Sequence, residues 1–247
     1  ILRAWCTLTA PDGQVLRQSL DLAGGRGETV FAIRNPQRWW PNGYGDQPLY
    51  RLQADLLDGT GPRPCDSRTL RLGLRTLTVS RDRDEWGESF ALTVNGVRIF
   101  AMGANYIPED ALFPRIRPER TRRLLEDCVA AHFNCLRVWG GGYYPDDFFY
   151  DLCDELGLLV WQDLMYACNV YSLERGFAEE AEAEARENIR RIRHHACLGL
   201  WCGNNELEWG WVEWPDMASH SMKLRADYVR LFEQILPNAV REEDPQT

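Results

Sequence analysis

Hydrophobic and polar residues alternate with a period of two through the first third of the chain. Leu2, Ala4, Cys6 and Leu8 fall on one face, and Pro11-Asp12-Gly13 supplies a turn. Further strands are predicted at Thr29 to Ile33, at Tyr50, Leu52, Ala54 and Leu56, and at Leu70, Leu72 and Leu74. Short alternating strands with Gly- and Pro-rich breaks between them predict a β-sandwich of immunoglobulin type over residues 1–79. Asn95-Gly96, set between apolar runs, predicts a hairpin within Phe90 to Phe100 that leads into the next domain.

The grammar changes after Ile99. Continuous apolar runs at Phe100 to Tyr106, Cys135 to Trp139, Leu158 to Gln162 and Leu198 to Cys202 read as parallel strands buried on both faces. Amphipathic helices are predicted from Pro118 to Phe133, from Pro145 to Leu156 with Gly157 as the stop, from Ala178 to Ala196, and finally from Ser221 to Leu236. In the third of these, Glu179, Glu180, Glu182 and Glu184 crowd the start and Arg190, Arg191 and Arg193 the end. That polarity complements the helix dipole and makes the acidic stretch a helix face, not a tail. The alternation predicts about strands 1 to 4, the N-terminal half, of a TIM (β/α)8 barrel across residues 80–247, because a closed barrel needs eight such units. Half a barrel leaves two sheet edges and an inner face open, so a homodimer formed through that open face is a further expectation. A strand pattern that starts almost at Ile1, without an initiator Met, reads as a start inside a longer protein.

Composition narrows the partners. Of 247 residues, 45% are hydrophobic and 26% charged, and no apolar run approaches the roughly 20 residues that span a bilayer, so no membrane role is expected. A net charge of -9, with arginines scattered among acids, disfavours nucleic acid and leaves a neutral polymer such as a glycan as the better partner. Five of the eight cysteines, Cys128, Cys135, Cys153, Cys197 and Cys202, lie within the helix and strand runs. They read as free, buried thiols, which points to a reducing, cytoplasmic location. There is no C-x-x-C pair, and His194-His195 has no third ligand at metal-like spacing, so neither a metal nor another cofactor is expected. Gly140-Gly141-Gly142 lacks the Gly-Lys-Ser/Thr of a phosphate loop.

The segment with most chemical content is Leu200-Trp201-Cys202-Gly203-Asn204-Asn205-Glu206, an apolar strand that ends in two amides and a carboxylate. Reacting groups of β/α barrels sit at such strand ends. A carboxyl group there can protonate a glycosidic oxygen while the neighbouring amide holds a sugar hydroxyl. On this heptad alone, a helix cap or an ion pair stays open as the alternative role for Glu206.

A longer series of motifs shifts the balance. Arg38-Trp39-Trp40-Pro41-Asn42-Gly43-Tyr44-Gly45, followed by Gly73-Leu74-Arg75, resembles the immunoglobulin-like domain of glycoside hydrolase family 2. Asn95-Gly96, Gly103-Ala104-Asn105-Tyr106-Ile107-Pro108, Arg137-Val138-Trp139-Gly140-Gly141-Gly142, Val160-Trp161-Gln162-Asp163 and Trp201-Cys202-Gly203-Asn204-Asn205-Glu206 resemble successive barrel-strand ends of that family's β-mannosidase branch. Tyr106 stands where a Trp is common, and His195-Ala196-Cys197 replaces His-Pro-Ser.

The resemblance implies a retaining exo-β-glycosidase acting on β-linked oligosaccharides or glycosides with terminal β-D-mannose. It implies that Glu206 is the general acid and then the base, that Asn205 binds the hydroxyl at carbon 2, and that Arg137 orients the nucleophilic carboxylate. Trp139 is implied as a wall of the sugar pocket, with Asp163 and Asn105 as further candidates for sugar contact or support. Trp209, Trp211 and Trp214 are expected in a loop after the acid. In the family the nucleophile belongs to the seventh strand, and Glu208, Glu213, Glu242 and Glu243 are poorly placed to replace it. The isolated chain is therefore expected to be inactive. Alternatives left open are a β-galactosidase, β-glucuronidase or exo-glucosaminidase of the same family, or a non-catalytic glycan-binding fragment.

Overall fold

The computed structural model describes residues 2–59 and 63–247. Strands β1 (Arg3–Thr9), β2 (Val15–Asp21), β3 (Tyr50–Leu57) and β4 (Asp66–Leu72) form an antiparallel sheet in the order β2-β1-β3-β4. The turn between β1 and β2 follows from its residues, since the Asp12 carboxylate accepts from the Gln14 amide at 3.0 Å and Gly13 takes φ +87°. The strand predicted at Thr29 to Ile33 does not form. Side-chain contacts replace the ladder there: the Gln18 amide donates to the Val30 carbonyl at 2.9 Å, and Thr29 bonds the same glutamine, which ties the segment to the edge strand β2.

Five short strands follow, β5 (Leu77–Ser80), β6 (Arg83–Asp84), β7 (Gly87–Glu88), β8 (Ala91–Val94) and β9 (Val97–Arg98). The predicted hairpin joins β8 to β9, with Val94 opposite Val97 and only Asn95 and Gly96 in the turn, at φ +50° and +82°. Positive φ at both positions matches the twist of the flanking strands, which is why Asn-Gly is favoured there.

The rest is β/α. A parallel sheet in the order β10-β11-β12-β13 is built from β10 (Gly103–Tyr106), β11 (Cys135–Val138), β12 (Leu159–Asp163) and β13 (Leu198–Cys202). Helices α1 (Pro118–Ala130), α2 (Asp147–Leu156) and α3 (Phe177–Ile192) connect them. After β13 come α4 (Leu207–Glu213), α5 (Pro215–Ala218), α6 (Met222–Arg230), a π-helical stretch from Leu231 to Ile235, and α7 (Leu236–Glu243). The last predicted helix thus runs on past Leu236, and the expected tryptophan loop is in fact helical at α4. Trp211 is buried, Trp214 half-buried and Trp209 exposed. Among the described residues no helix is long and apolar enough to cross a membrane.

Alternation along β11 sets the two faces of the sheet. Leu136 and Val138 are buried against the helix layer with Leu125, Phe149, Leu152 and Ile192, whereas Cys135 and Arg137 point to the other side. All eight cysteines are free thiols. Of the five expected to be buried, only Cys153 and Cys197 are; Cys128, Cys135 and Cys202 are half-buried. Cys135 shares the open face with Arg137, and its surroundings still push the thiol up to about 11, mainly by desolvation.

The string 38–45 is a wedge between the antiparallel sheet and the β/α layer. Trp39 is fully buried, and its indole N–H donates to the Asp154 carbonyl at 2.8 Å. Asn42 donates to the Phe133 carbonyl through its side-chain amide and to the Gly157 carbonyl through its backbone N–H, both at 2.8 Å. Gly157, at φ +73°, caps α2, and a Cβ there would lie 2.6 Å from the Asn42 nitrogen, so this position needs glycine on both counts. Arg75 reaches the Ala196 and Leu198 carbonyls at 3.2 and 2.5 Å.

The spacing of His194-His195 hid a third partner. Folding brings Asp154 and Cys197 beside His195, with all three buried. Asp154 already spends both carboxylate oxygens on protein donors, the His195 Nδ1 at 2.7 Å and the Cys197 N–H at 2.8 Å. The cluster is a polar tie between α2 and the start of β13.

His194, next to it, gives a pH dependence. Burial, reinforced by His195, pushes its imidazole down to about 4. An unfolded chain, with an ordinary histidine near 6.5, takes up a proton that the native chain refuses between those two values. Stability is therefore complete above pH ~6.5 and declines as pH falls toward ~4. Urea midpoints measured from pH 4 to 7 should show a shallower decline for His194→Gln than for the parent chain, and identical slopes would refute the assignment.

Candidate active site

The carboxyl-terminal ends of the four parallel strands bring Asn105, Arg137, Asp163 and Asn205 together. Arg137 faces away from the helix layer, and its guanidinium spans three neighbours. Nε and Nη2 donate to Asp163 Oδ1 and Oδ2 at 3.1 and 2.7 Å, Nη2 also donates to Asn205 Oδ1 at 2.8 Å, and Nη1 reaches Asn105 Oδ1 at 3.4 Å. Asp163 is fully buried and takes two more donors, the Trp161 indole N–H at 3.0 Å and the Gly140 N–H at 3.0 Å. Its acceptor capacity is thereby filled, so Asp163 is the support that fixes Arg137. Arg137 itself, expected to orient a nucleophile, makes a bidentate ion pair to the neighbouring strand.

β13 delivers the remaining groups. Asn205 is buried, with its N–H bonded to the Tyr166 carbonyl at 2.9 Å. Glu206 follows in a left-handed conformation, φ +64°, which costs a residue with a side chain about 1–3 kcal/mol. That turn swings the chain into α4 and leaves the Glu206 carboxylate exposed. The helix-cap role is taken by a neighbour instead: Asn204 Oδ1 accepts from the Leu207 N–H at 3.0 Å, and Glu206 makes no capping bond. Glu206 is also in none of the ion pairs found among the described residues.

Trp139 is half-buried just after β11, with its N–H on the Tyr106 carbonyl at 3.1 Å. Its indole packs against the glycine run, since a Cβ at Gly141 would come within 2.0 Å of the ring. At Gly140 a Cβ would stand 2.6 Å from the Leu164 carbonyl, so these glycines serve close backbone approach. Tyr106 turns toward the helices, packing on Phe149 with ring centroids 4.5 Å apart and donating to Glu109 at 2.6 Å. It is packing, and the Asn105 beside it occupies the open face.

Two participants were not among the expected site residues. Trp161 braces Asp163 from within β12 and lies under Arg137, its ring 5.9 Å from the guanidinium carbon. Cys168, exposed in the segment after β12, has its sulfur 3.2 Å from Asn205 Nδ2 and 3.5 Å from Glu206 Oε2.

An exposed carboxylate and a locked amide at the ends of parallel strands, backed by a half-buried arginine forked onto a buried aspartate, form a site suited to a polyhydroxy ligand. Comparison with known proteins agrees. The family model for glycosyl hydrolases family 2 matches residues 8–75. β-Mannosidase B of Emericella nidulans is 36% identical over 249 residues, covering 97% of this chain and 29% of that protein. The crystal structure of the β-D-mannosidase of Dictyoglomus thermophilum superposes with a TM-score of 0.88 at 37% identity, over 99% of this chain and 30% of that one. A β-glucuronidase of Bacteroides uniformis, 21% identical with a TM-score of 0.76, shares the fold. The chain is similar to glycosyl hydrolases family 2 over residues 8–75. Within that family its similarity is to the β-mannosidases, of which it spans about 30% of the length.

Proposed function

We propose that this chain supplies the acid/base half of the active site of a retaining exo-β-glycosidase that removes terminal β-D-mannose. In this reading residues 1–79 are an immunoglobulin-like sandwich, and residues 80–247 are the first four β/α units of an eight-stranded barrel. The observation that carries it is the Asn205-Glu206 pair: an amide held in one orientation beside an exposed carboxylate that the fold spends on neither a cap nor an ion pair. Glu206 would protonate the departing glycosidic oxygen and then, as carboxylate, take a proton from the attacking water. Asn205 would hold the hydroxyl at carbon 2, and Trp139 would wall the sugar.

Retention requires a second carboxylate about 5 Å from the first. Asp163 does not suit that role, because four donors already hold its oxygens. Glu242 and Glu243 pair with Arg186, Arg190 and Arg193 at the end of α7. The nucleophile is assigned to a strand outside this span. The test has two parts. The 247-residue chain alone should not hydrolyse an aryl β-mannoside. Grafted in place of the corresponding segment of the Dictyoglomus enzyme, it should yield a hydrolase that prefers β-mannoside over β-glucuronide and β-galactoside. A folded graft that binds mannose without turnover would favour the non-catalytic reading, and a preference for another sugar would replace the substrate.

A further inference from the structure

The segment after β12 is fastened to the end of β13 as a short additional rung. Ala167 forms a parallel bridge with Asn205, the Cys168 N–H donates to the Asn205 carbonyl at 3.3 Å, and Cys168 takes the left-handed φ of +49°. This backbone arrangement delivers the thiol between two groups of the site. Its sulfur accepts from Asn205 Nδ2 at 3.2 Å and its S–H donates to Glu206 Oε2 at 3.5 Å.

The consequence for Asn205 is a fixed amide. Arg137 Nη2 donates to Oδ1 at 2.8 Å, while the sulfur takes a hydrogen from Nδ2. A flipped amide would set its N–H₂ against the guanidinium, donor against donor. For Glu206, the contact is a weak donor on one carboxylate oxygen. A weak partner can aim the carboxylate without withholding it from proton exchange with a ligand.

We propose that Cys168 is a positioning residue, whose thiol aims the Glu206 carboxylate and fixes the Asn205 amide. The assignment rests on the reading of Glu206 as acid/base.

The groups around the thiol predict effects of opposite sign. Glu206 faces it from the turn between β13 and α4. The Tyr171 hydroxyl, bonded to the Ala167 N–H at 3.0 Å, lies along its own segment, and Arg137 and Asp163 stand behind Asn205. Partial desolvation, with the hydrogen bond and charge of Glu206 adding to it, holds the thiol above its usual range, while the Asn205 amide pulls it down.

The test is the rate at which iodoacetamide alkylates each cysteine of the 247-residue chain between pH 7 and 10, followed by peptide mass spectrometry. Cys65, also exposed, is the internal reference. Glu206→Gln should raise the Cys168 rate at pH 8, because it removes the carboxylate that opposes the thiolate, and should leave Cys65 unchanged. Asn205→Ala should lower the Cys168 rate. Should Asn205→Ala fail to fold, the isosteric exposed substitution Glu206→Gln decides alone. Equal Cys168 profiles for the parent and Glu206→Gln would overturn the proposal. The readout is thiol chemistry, so it stands apart from turnover: coupling without hydrolysis by the graft would sink the acid/base reading and leave only the contact between Cys168 and Glu206 standing, and hydrolysis without coupling would sink only the role of Cys168.

Discussion

Glu206→Gln, introduced into the grafted enzyme, is expected to lower kcat/KM for an alkyl β-mannoside by about 10²–10⁴-fold, the usual worth of a positioned general acid. The loss should depend on the leaving group. A dinitrophenolate departs without protonation, so with that aglycone the first step should be nearly unaffected and the glycosyl-enzyme should accumulate as a burst. Azide, which needs no base to attack, should then restore turnover. A uniform loss across leaving groups, with no burst and no rescue, would show that the carboxylate does not transfer the proton.

Arg137→Ala is expected to destabilise the isolated chain by about 3–5 kcal/mol, the cost of orphaning one partner of a buried ion pair. Asp163, fully buried in the parent chain, would keep only the Trp161 and Gly140 donors. With a urea m-value of about 1–3 kcal/mol/M, the unfolding midpoint should fall by at least ~1 M. Arg137→Lys should recover part of the loss, because it returns the charge but not the planar fork that serves Asp163 and Asn205 together. A loss below ~1 kcal/mol for the alanine variant would place the pair among ordinary surface bridges.

What could be read before folding follows the range of each interaction. Helix and strand period, Gly157 as a stop and Asn95-Gly96 as a turn are local, and α1, α2, β11, β12 and β13 lie within a few residues of their predicted bounds. Thr29 to Ile33 looked like a strand because its residues alternate, but a strand needs a partner ladder, and here Gln18 supplies side-chain bonds instead. Three indoles in six residues obscure the helical period after Glu206, so sequence alone reads a loop there; Asn204 caps the segment into α4. Within the site, the positions Asn105, Arg137, Asp163 and Asn205 were legible as strand ends. Their bonds were not, because Arg137 meets Asp163 across 26 positions and Asn205 across 68. Cys168 left no trace at all, since its place depends on a rung between two strand extensions.

The wedge formed by Trp39, Asn42 and Arg75 meets the sheet where β12 and β13 begin, and Glu206 lies where β13 has finished. The match to the family model, residues 8–75, contains the wedge and none of the chemistry. A pseudoenzyme that had lost its proton donor would keep that signature intact, because the scaffold's fit would be under the same packing constraint as before. Under the role proposed for Glu206, the proton donor would have to be sought in the seven residues from Leu200 to Glu206, far from the stretch that the family model matches.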